Sequence, residues 1–269
     1  GGDLTLETSH GNVSAGTISG SATAKARHGN LTLGSVSGSL EAEVSHGALT
    51  TESVGENVVS NLRHGAFSLG RVEGSLTHRS SHSPVSVGYV GADVQASNRH
   101  GPMVFSEVGG NLVAKNGHGP IEALSVGKSA TVKTNHGPVV IRGAGAEVTI
   151  ENRHGAVEVT GAKGTLAVKS GRGTTKIAAP ESDVAVQQEG GSVEIETCEL
   201  KRDQAVRCKG GDVVFRLPSM ADAEVNAHVR KGDIQTDFPL EVKGDRRTGR
   251  TVSGLLGSGG PRITAEVER

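Results

Sequence analysis

The sequence predicts an all-β fold, a single parallel β-solenoid flattened between two sheets, built from 18-residue turns. Glycine follows every histidine of a repeated row except His82, and aliphatic residues recur in the same frame. A constant period without insertions is typical of a coil in which each repeat contacts only its neighbours. The row keeps a strict 18-residue spacing and consists of His10, His28, His46, His64, His82, His100, His118, His136 and His154.

Two short strands are predicted in each turn. With histidine counted as position 1, apolar residues alternate at positions 4 and 6 and again at positions 13 and 15, as in Leu31, Leu33, Leu40 and Ala42. Alternation with a period of two indicates strands that bury one face. Position 9 is also aliphatic, as in Val36. Stacked turns then pair in parallel and in register, and their inward aliphatic ladders form the core.

Glycine marks both corners of the predicted turn. It stands at position 2, directly after histidine, and again at position 10 or 11, as in Gly20 and Gly38. Glycine adopts positive φ angles that other residues avoid, which suits tight corners. Asn98, Asn116 and Asn152 occupy position 17, and we interpret them as further turn residues.

Two other 18-residue coils do not fit the sequence. A triangular hexapeptide helix requires aliphatic residues at positions 10 and 16, which here are mostly polar or glycine. A calcium-binding β-roll requires a nonapeptide with a regular aspartate, which is absent. The flattened two-sheet coil remains.

The register divides the chain into residues 1–189, with regular turns, and residues 190–269, with longer and irregular coils. The polar stretch 240–258 is expected to hold a loop, and the segment from Pro261 matches the end of a further repeat. Neither end of the coil is expected to be capped. Unpaired strand edges invite other strands, so we expect self-association, either head to tail into a fibre or side by side.

Composition excludes several classes of protein. The chain has 40 Gly, 4 Phe, 1 Tyr and no Trp, which suits a thin aliphatic core. A formal net charge of -1 argues against binding to nucleic acid or to an anionic membrane. No apolar run approaches the roughly 18 residues of a membrane span. No nucleophile elbow, phosphate-binding loop or zinc-protease motif is present, so the sequence predicts a protein that is not an enzyme.

The repeated pattern of glycine, alternating aliphatic residues and a His-Gly corner resembles a bacterial family of putative adhesins, described as β-strand-repeat proteins of unknown function. The final segment, Gly254–Arg269, is similar to the last coil of that family. The resemblance covers essentially the whole chain. It implies an extracytoplasmic or cell-surface location, with partners in the cell envelope, and no established activity.

Stacking places the histidines of the row in one line, and three interpretations of that line stay open. It is a structural corner ladder, a site for Cu or Zn, or a pH switch in which neighbouring imidazolium ions repel one another. Imidazole binds zinc at about 2.0–2.1 Å, but tetrahedral zinc requires three or four ligands. A single row supplies two per ion, so metal binding requires a two-coordinate ion or ligands from a neighbouring chain. No other cofactor is predicted.

Several residues near or outside the row are interpreted individually. His78 stands at position 15 and is predicted to be a core residue, and His228 lies outside the row. Cys198 stands at position 9 and is also predicted in the core, while a disulfide to Cys208 stays open. We interpret the arginines that directly precede histidines of the row as a solvated edge; they are Arg27, Arg63, Arg99 and Arg153.

Overall fold

A computed structural model of the protein describes residues 2–245 and 247–268. Within these ranges the chain is all-β and folds as a parallel β-solenoid, which confirms the predicted fold class. No helix in this part of the chain is long and apolar enough to cross a membrane. The chain divides into two compact units, residues 1–140 and residues 141–269.

The strands of the first unit are β1 (Leu4–His10), β2 (Val13–Ala15), β3 (Ala22–His28), β4 (Leu31–Val36), β5 (Leu40–His46), β6 (Leu49–Val54), β7 (Val58–His64), β8 (Phe67–Val72), β9 (Leu76–His82), β10 (Val85–Val90), β11 (Val94–His100), β12 (Met103–Val108), β13 (Leu112–His118), β14 (Ile121–Ala123) and β15 (Ala130–His136). Strand β16 (Val139–Ala144) includes the boundary between the units. The strands of the second unit are β17 (Val148–His154), β18 (Val157–Ala162), β19 (Leu166–Ala178), β20 (Val184–Glu196), β21 (Gln204–Cys208), β22 (Val213–Arg216), β23 (Ala223–Val229), β24 (Val242–Asp245), β25 (Gly249–Leu256) and β26 (Arg262–Val267).

In the first unit each turn contributes one strand to each of two rows. The odd-numbered strands β1 to β15, which all end at a histidine, form the first row, and the even-numbered strands β2 to β14 form the second. Neighbours in both rows are parallel and follow the 18-residue period, so that Leu4 faces Ala22 and Leu31 faces Leu49. The predicted pairing of two strands per turn in register is therefore confirmed.

The core of the first unit consists of the predicted aliphatic ladders. Leu31, Leu33, Val36, Leu40 and Ala42 are all at most 3% exposed. The intervening residues of the strands point outward, as the alternating burial of β5 and β7 shows. Few side chains are larger than leucine, so the two rows lie against each other across a single layer of aliphatic residues.

Glycine at the His-Gly corner is required by the close stacking of the backbone. Gly29 has a φ of 137°, and a Cβ atom there would lie 2.0 Å from the carbonyl oxygen of Gly11 in the preceding turn. The amide of Gly29 donates a hydrogen bond to the carbonyl of His46 in the following turn. Backbone hydrogen bonds at the corner therefore join successive turns, in addition to the hydrogen bonds between the strands.

The opposite corner contains a ladder of side-chain caps that the sequence analysis did not identify. Residues at position 12 accept a hydrogen bond from the backbone amide one turn later. Asp3 Oδ1 accepts from Ser21, Asn57 Oδ1 from Ser75, and Asp93 Oδ1 from Asn111, at 2.7–2.9 Å. Short polar side chains at this position therefore satisfy amides at the corner.

The second unit keeps the 18-residue register only at first. Leu166 faces Val184 across β19 and β20, but Val184 then faces Gln204, which lies beyond the position that the regular repeat would give. The extra residues lie after β20 ends at Glu196. Cys198 falls in this segment and is exposed, so its predicted place in the core is wrong. Cys208 is buried in β21, and no disulfide joins the two residues.

The last strands of the second unit depart from the coil. Strand β26 lies between β21 and β23 and is parallel to both, whereas β25 is antiparallel to β23 and β24. The polar stretch 240–258, where a loop was expected, contains β24, β25 and the turn between them. Strand β26, which follows Pro261, is therefore paired along both of its edges.

Candidate functional site: the histidine column

Eight histidines of the first unit form one continuous stack of rings, which we call the histidine column. Centroids of neighbouring rings are 4.6–5.2 Å apart, and the ring planes are inclined by 2–20°. His100 is half-buried and the others are exposed. The column consists of His10, His28, His46, His64, His82, His100, His118 and His136.

The backbone fixes the position of the column. Each strand of the first row ends at its histidine, and His10 and His28 are paired at their Cα atoms, as are His100 and His118. In seven of the eight turns the glycine that follows then turns the chain with a positive φ, and Ser83 takes its place after His82. The histidine side chain consequently leaves the sheet at the same point in every turn. Its ring lies on the ring of the next turn because that distance matches the spacing of paired strands.

His154 belongs to the second unit, where the repeat continues without histidine. Its Cα atom is paired with that of Arg172, and Arg172 is paired with Gly190. Nine equivalent imidazoles were predicted from the sequence. Eight of them form the column in the first unit, and the ninth, His154, lies in the second unit.

The ring stacking restricts what the column can bind. The nitrogen lone pairs of an imidazole lie in the ring plane, and neighbouring planes are almost parallel. Neighbouring nitrogens therefore point side by side rather than toward a common point between two rings. In the described ranges, no group of three or more His, Cys, Asp or Glu side chains is arranged to hold a metal ion. Binding of Cu or Zn by the column stays a prediction.

The surroundings of His100 disfavour its charged form. Partial burial lowers the pKa of His100, and the neighbouring His82, His118 and Arg99 lower it further through charge repulsion. The causes are physically separate, because desolvation acts on the one ring whereas repulsion requires neighbouring rings to be charged. Protonation of His100 is therefore opposed both by its partial burial and by positive charge on its neighbours.

Inside the corner, beneath the column, lies a second ladder formed by position 17. Asn98 and Asn116 are 6% and 5% exposed. Asn116 Nδ2 donates to the carbonyl oxygens of Gly101 and Gly119 at 2.8 and 3.2 Å, and Asn98 Nδ2 donates to that of Ser83 at 2.7 Å. The predicted turn residues are thus corner residues that point inward and bind the carbonyls of two successive turns.

Proline replaces a side-chain cap beside the column. Asn12 Oδ1 accepts a hydrogen bond from the amide of Asn30 at position 3, and Asn30 Oδ1 accepts one from Ala48, at 2.9 and 2.8 Å. In later turns position 3 is proline, which has no amide hydrogen and needs no cap. These exposed prolines, which flank the column in four turns, are Pro84, Pro102, Pro120 and Pro138.

His78 and His228 are both separate from the column. His78 is 0% exposed, as predicted for a core residue, and its ring stacks on Phe67 with centroids 4.2 Å apart. Its Nδ1 atom lies 2.8 Å from Ser60 Oγ, and burial lowers its pKa to about 3. His228 is exposed on β23, with Nδ1 3.2 Å from Thr251 Oγ1.

A family model for Toastrack DUF4097 matches residues 1–268 of the chain. The chain belongs to this family. The predicted resemblance to a repeat family of unknown function is confirmed to that extent, and the term adhesin adds a role that this match does not include. No curated protein and no solved structure gives a match. The candidate site of this Toastrack chain is consequently argued from its own geometry.

Proposed function

We propose that this protein is a non-enzymatic, extracytoplasmic scaffold of the adhesin type, which binds its ligand along the histidine column. The observation that carries the proposal is the exposure of a stacked row of imidazoles that the hydrophobic core does not require. Exposed polar side chains repeated on a rigid frame are suited to binding an extended partner, because each turn offers the same groups at the same spacing.

The repetition itself favours binding over catalysis. A catalytic site brings together groups with different roles, such as a nucleophile, a base and an orienting partner, at one point. The histidine column instead repeats one group in equivalent surroundings. The resemblance to cell-surface repeat proteins supports an extracytoplasmic location, which fractionation of cells that produce the tagged protein from its native gene would test.

The binding role can be tested with a triple variant in the middle of the column. His46→Asn, His64→Asn and His82→Asn together remove three adjacent rings and keep short polar side chains at the corner. A matched control, Thr50→Asn, Ser68→Asn and Ser86→Asn, changes outward positions of the second strand row in neighbouring turns. The unaltered protein is screened against immobilised envelope polysaccharides, neutral and acidic, and we expect the column variant to lose at least tenfold in affinity for each polysaccharide that the unaltered protein binds.

The control variant is expected to bind as the unaltered protein does, and both variants are expected to keep their circular dichroism spectra and melting temperatures. Equal binding by the two variants would place the interaction elsewhere. If the unaltered protein binds none of the polysaccharides, the proposed function fails.

A second candidate function is binding of Cu or Zn by the histidine column together with a second copy of the chain. The exposed ring edges favour it, since opposing columns have the same repeat and each metal would gain ligands from both copies. Titration with Zn²⁺ or Cu²⁺ at pH 7.5, followed by calorimetry and light scattering, is expected to give metal uptake coupled to dimer formation. The triple variant, which keeps five of the eight rings, is expected to lower both metal uptake and dimer formation, and uptake by a monomer would contradict the shared site.

A further inference from the structure

Four consecutive turns of the first unit each carry one exposed cation beside the histidine column. These residues, which we call the cationic edge, are Arg63, Arg79, Arg99 and Lys115. They alternate between position 18 and position 16, and these are outward positions of the same strand row. None of the four has a carboxylate partner within the described part of the chain. The cationic edge is therefore a zigzag of unpaired positive charges, one for each turn.

The strand register sets the spacing of this zigzag. Arg79 is paired at its Cα atom with Asn61 on one side and Ser97 on the other, and Ser97 is paired with Lys115. Arg79 and Lys115 are consequently two turns apart, as are Arg63 and Arg99. At the usual spacing of paired strands, cations on the same side of the zigzag are about 10 Å apart.

Acidic residues are absent from the outward positions of the first strand row in these four turns. Positions 14, 16 and 18 there hold valine, threonine, glutamine, asparagine, serine, glycine and the four cations. On the other side of the column, position 5 of the turns that begin at His64 to His118 carries a carboxylate only at Glu122, in the last of them. Earlier turns differ, since Lys25 is paired with Glu7 and Glu43. Within the first strand row, the cations from Arg63 to Lys115 are therefore not accompanied by acidic residues.

The histidine column adds neutral hydrogen-bonding groups to these charges. His64, His82, His100 and His118 present ring edges that donate or accept hydrogen bonds even when uncharged. Arginine pairs with carboxylates through two parallel hydrogen bonds, which fixes the orientation of the anion. A ligand that matches this surface therefore carries one carboxylate for each turn of the coil. Successive carboxylates lie on alternating sides of the ligand axis, and hydroxyl groups lie between them.

We propose that the cationic edge and the histidine column together bind a linear acidic polysaccharide in extended form. In an extended two-fold sugar chain, successive units point their substituents to opposite sides, which is the arrangement of the four cations. A nucleic acid or a polyphosphate has denser charge and few hydroxyl groups and would favour a more basic surface. The inference rests on the proposed function, because it names the class of ligand that the column holds.

The test uses the whole protein and sugar octamers of equal length, one a polyuronate and one neutral. Calorimetry at pH 8 in low salt is expected to detect the polyuronate and not the neutral octamer, and binding should weaken as salt is raised. The variant Arg63→Ser/Arg99→Ser is expected to lose at least tenfold in affinity. Serine occupies the same position in neighbouring turns at Ser45 and Ser81, so the fold should tolerate it.

A matched pair of single variants separates the cationic edge from general charge. Arg79→Gln and Lys25→Gln each remove one cation at position 16, but Lys25 lies between two glutamates. We expect Arg79→Gln to weaken polyuronate binding several-fold and Lys25→Gln to change it less than twofold. Equal effects of the two variants would contradict a site at the cationic edge.

Three further outcomes would overturn the inference. Tighter binding of polyphosphate than of the polyuronate would assign the site to phosphate polymers, and binding to vesicles of anionic phospholipid would assign it to a membrane surface. The third outcome is binding of a neutral polysaccharide that the histidine triple variant abolishes and Arg63→Ser/Arg99→Ser leaves unchanged. This result would support the proposed function and contradict an acidic ligand.

Discussion

His78 is the residue whose surroundings are most unusual for its type. It is 0% exposed, stacks on Phe67 and has Ser60 Oγ within hydrogen-bond distance of Nδ1. Its Nε2 atom has no hydrogen-bond partner in the described part of the chain. Because burial lowers the pKa of His78 to about 3, the folded protein keeps this ring neutral through most of the acidic range.

This neutral ring makes the free energy of unfolding depend on pH. An unfolded histidine takes up a proton below about pH 6.5, whereas folded His78 does so only near pH 3. The unfolded state therefore binds more protons in between, and stability is expected to fall by up to about 1.4 kcal/mol for each pH unit from 6.5 to 3. Above pH 6.5 His78 contributes no pH dependence.

Urea unfolding between pH 7 and pH 4 would measure this slope in the protein and in Ser60→Ala/His78→Leu. The double variant removes the titrating ring and the hydroxyl that would lose its partner. We expect a shallower slope in the double variant, while His228→Asn, at an exposed histidine, should leave the slope unchanged. The same slope in all three proteins would show that His78 does not control acid stability.

His100 offers a second measurement at the scale of one residue. Burial and then the charges of His82, His118 and Arg99 lower its pKa. In His82→Asn/His118→Asn the pKa of His100 is expected to rise, because two repelling neighbours are gone, and yet to stay below its usual value because burial remains. An NMR titration of the imidazole protons would measure the change, and an unaltered pKa would contradict coupling along the column.

At the scale of structural elements, the His-Gly corner is the part of the turn that tolerates least change. Gly65 has a φ of 124°, and a Cβ atom there would lie 1.9 Å from the carbonyl oxygen of Gly47. Gly65→Ala is expected to destabilise the protein by about 2–4 kcal/mol through overpacking and backbone strain. Gly16→Ala is the control, since no atom lies within 4 Å of its Cβ position. Urea unfolding would measure both, and comparable losses would contradict the role of the corner.

The elements that follow the repeat were predictable from sequence, and those that leave it were not. Alternating apolar positions indicated the strands of both rows, because each inward ladder must be continuous from turn to turn. Strand β26 pairs with β21 although Gln204 and its partner Ile263 are far apart in the chain, and β23 then covers the other edge of β26. No local pattern specifies that order, since it depends on how the hairpin of β24 and β25 folds back.

The candidate site was predictable only in part. The 18-residue period places the histidines in one row, but it does not determine whether the rings face the core or the solvent. That direction depends on the turn after each histidine, which contains a glycine with positive φ except after His82, and on inward asparagines such as Asn116, which occupy the space beneath the corner. The sequence indicated only half of the cationic edge: Arg63 and Arg99 were interpreted as a solvated edge, whereas Arg79 and Lys115 stand at another position of the repeat and were not grouped with them.

At the scale of the whole molecule, the repeated contacts make stability a local property. Each turn of the first unit pairs with the turns before and after it, so a defect is transmitted mainly through nearest neighbours. Phe105 is 0% exposed and is paired with Val87 and Ala123 in the adjacent turns. Replacing it removes a large core side chain from one turn and leaves the other ladders in place.

Phe105→Ala is therefore expected to destabilise the first unit by about 3–5 kcal/mol. The loss of local stability should be largest in the turns next to Phe105 and decrease with distance along the chain. Hydrogen exchange should accelerate most in β10, β12 and β14, whose turns contact the cavity, and least in β21 and β26 of the second unit. Val214→Ala, at an outward and 39% exposed position of β22, serves as the control and should leave exchange in the first unit unchanged. Uniform acceleration in both units would instead indicate that the coil unfolds as one cooperative structure, because nearest-neighbour coupling would then be strong enough to transmit the defect throughout.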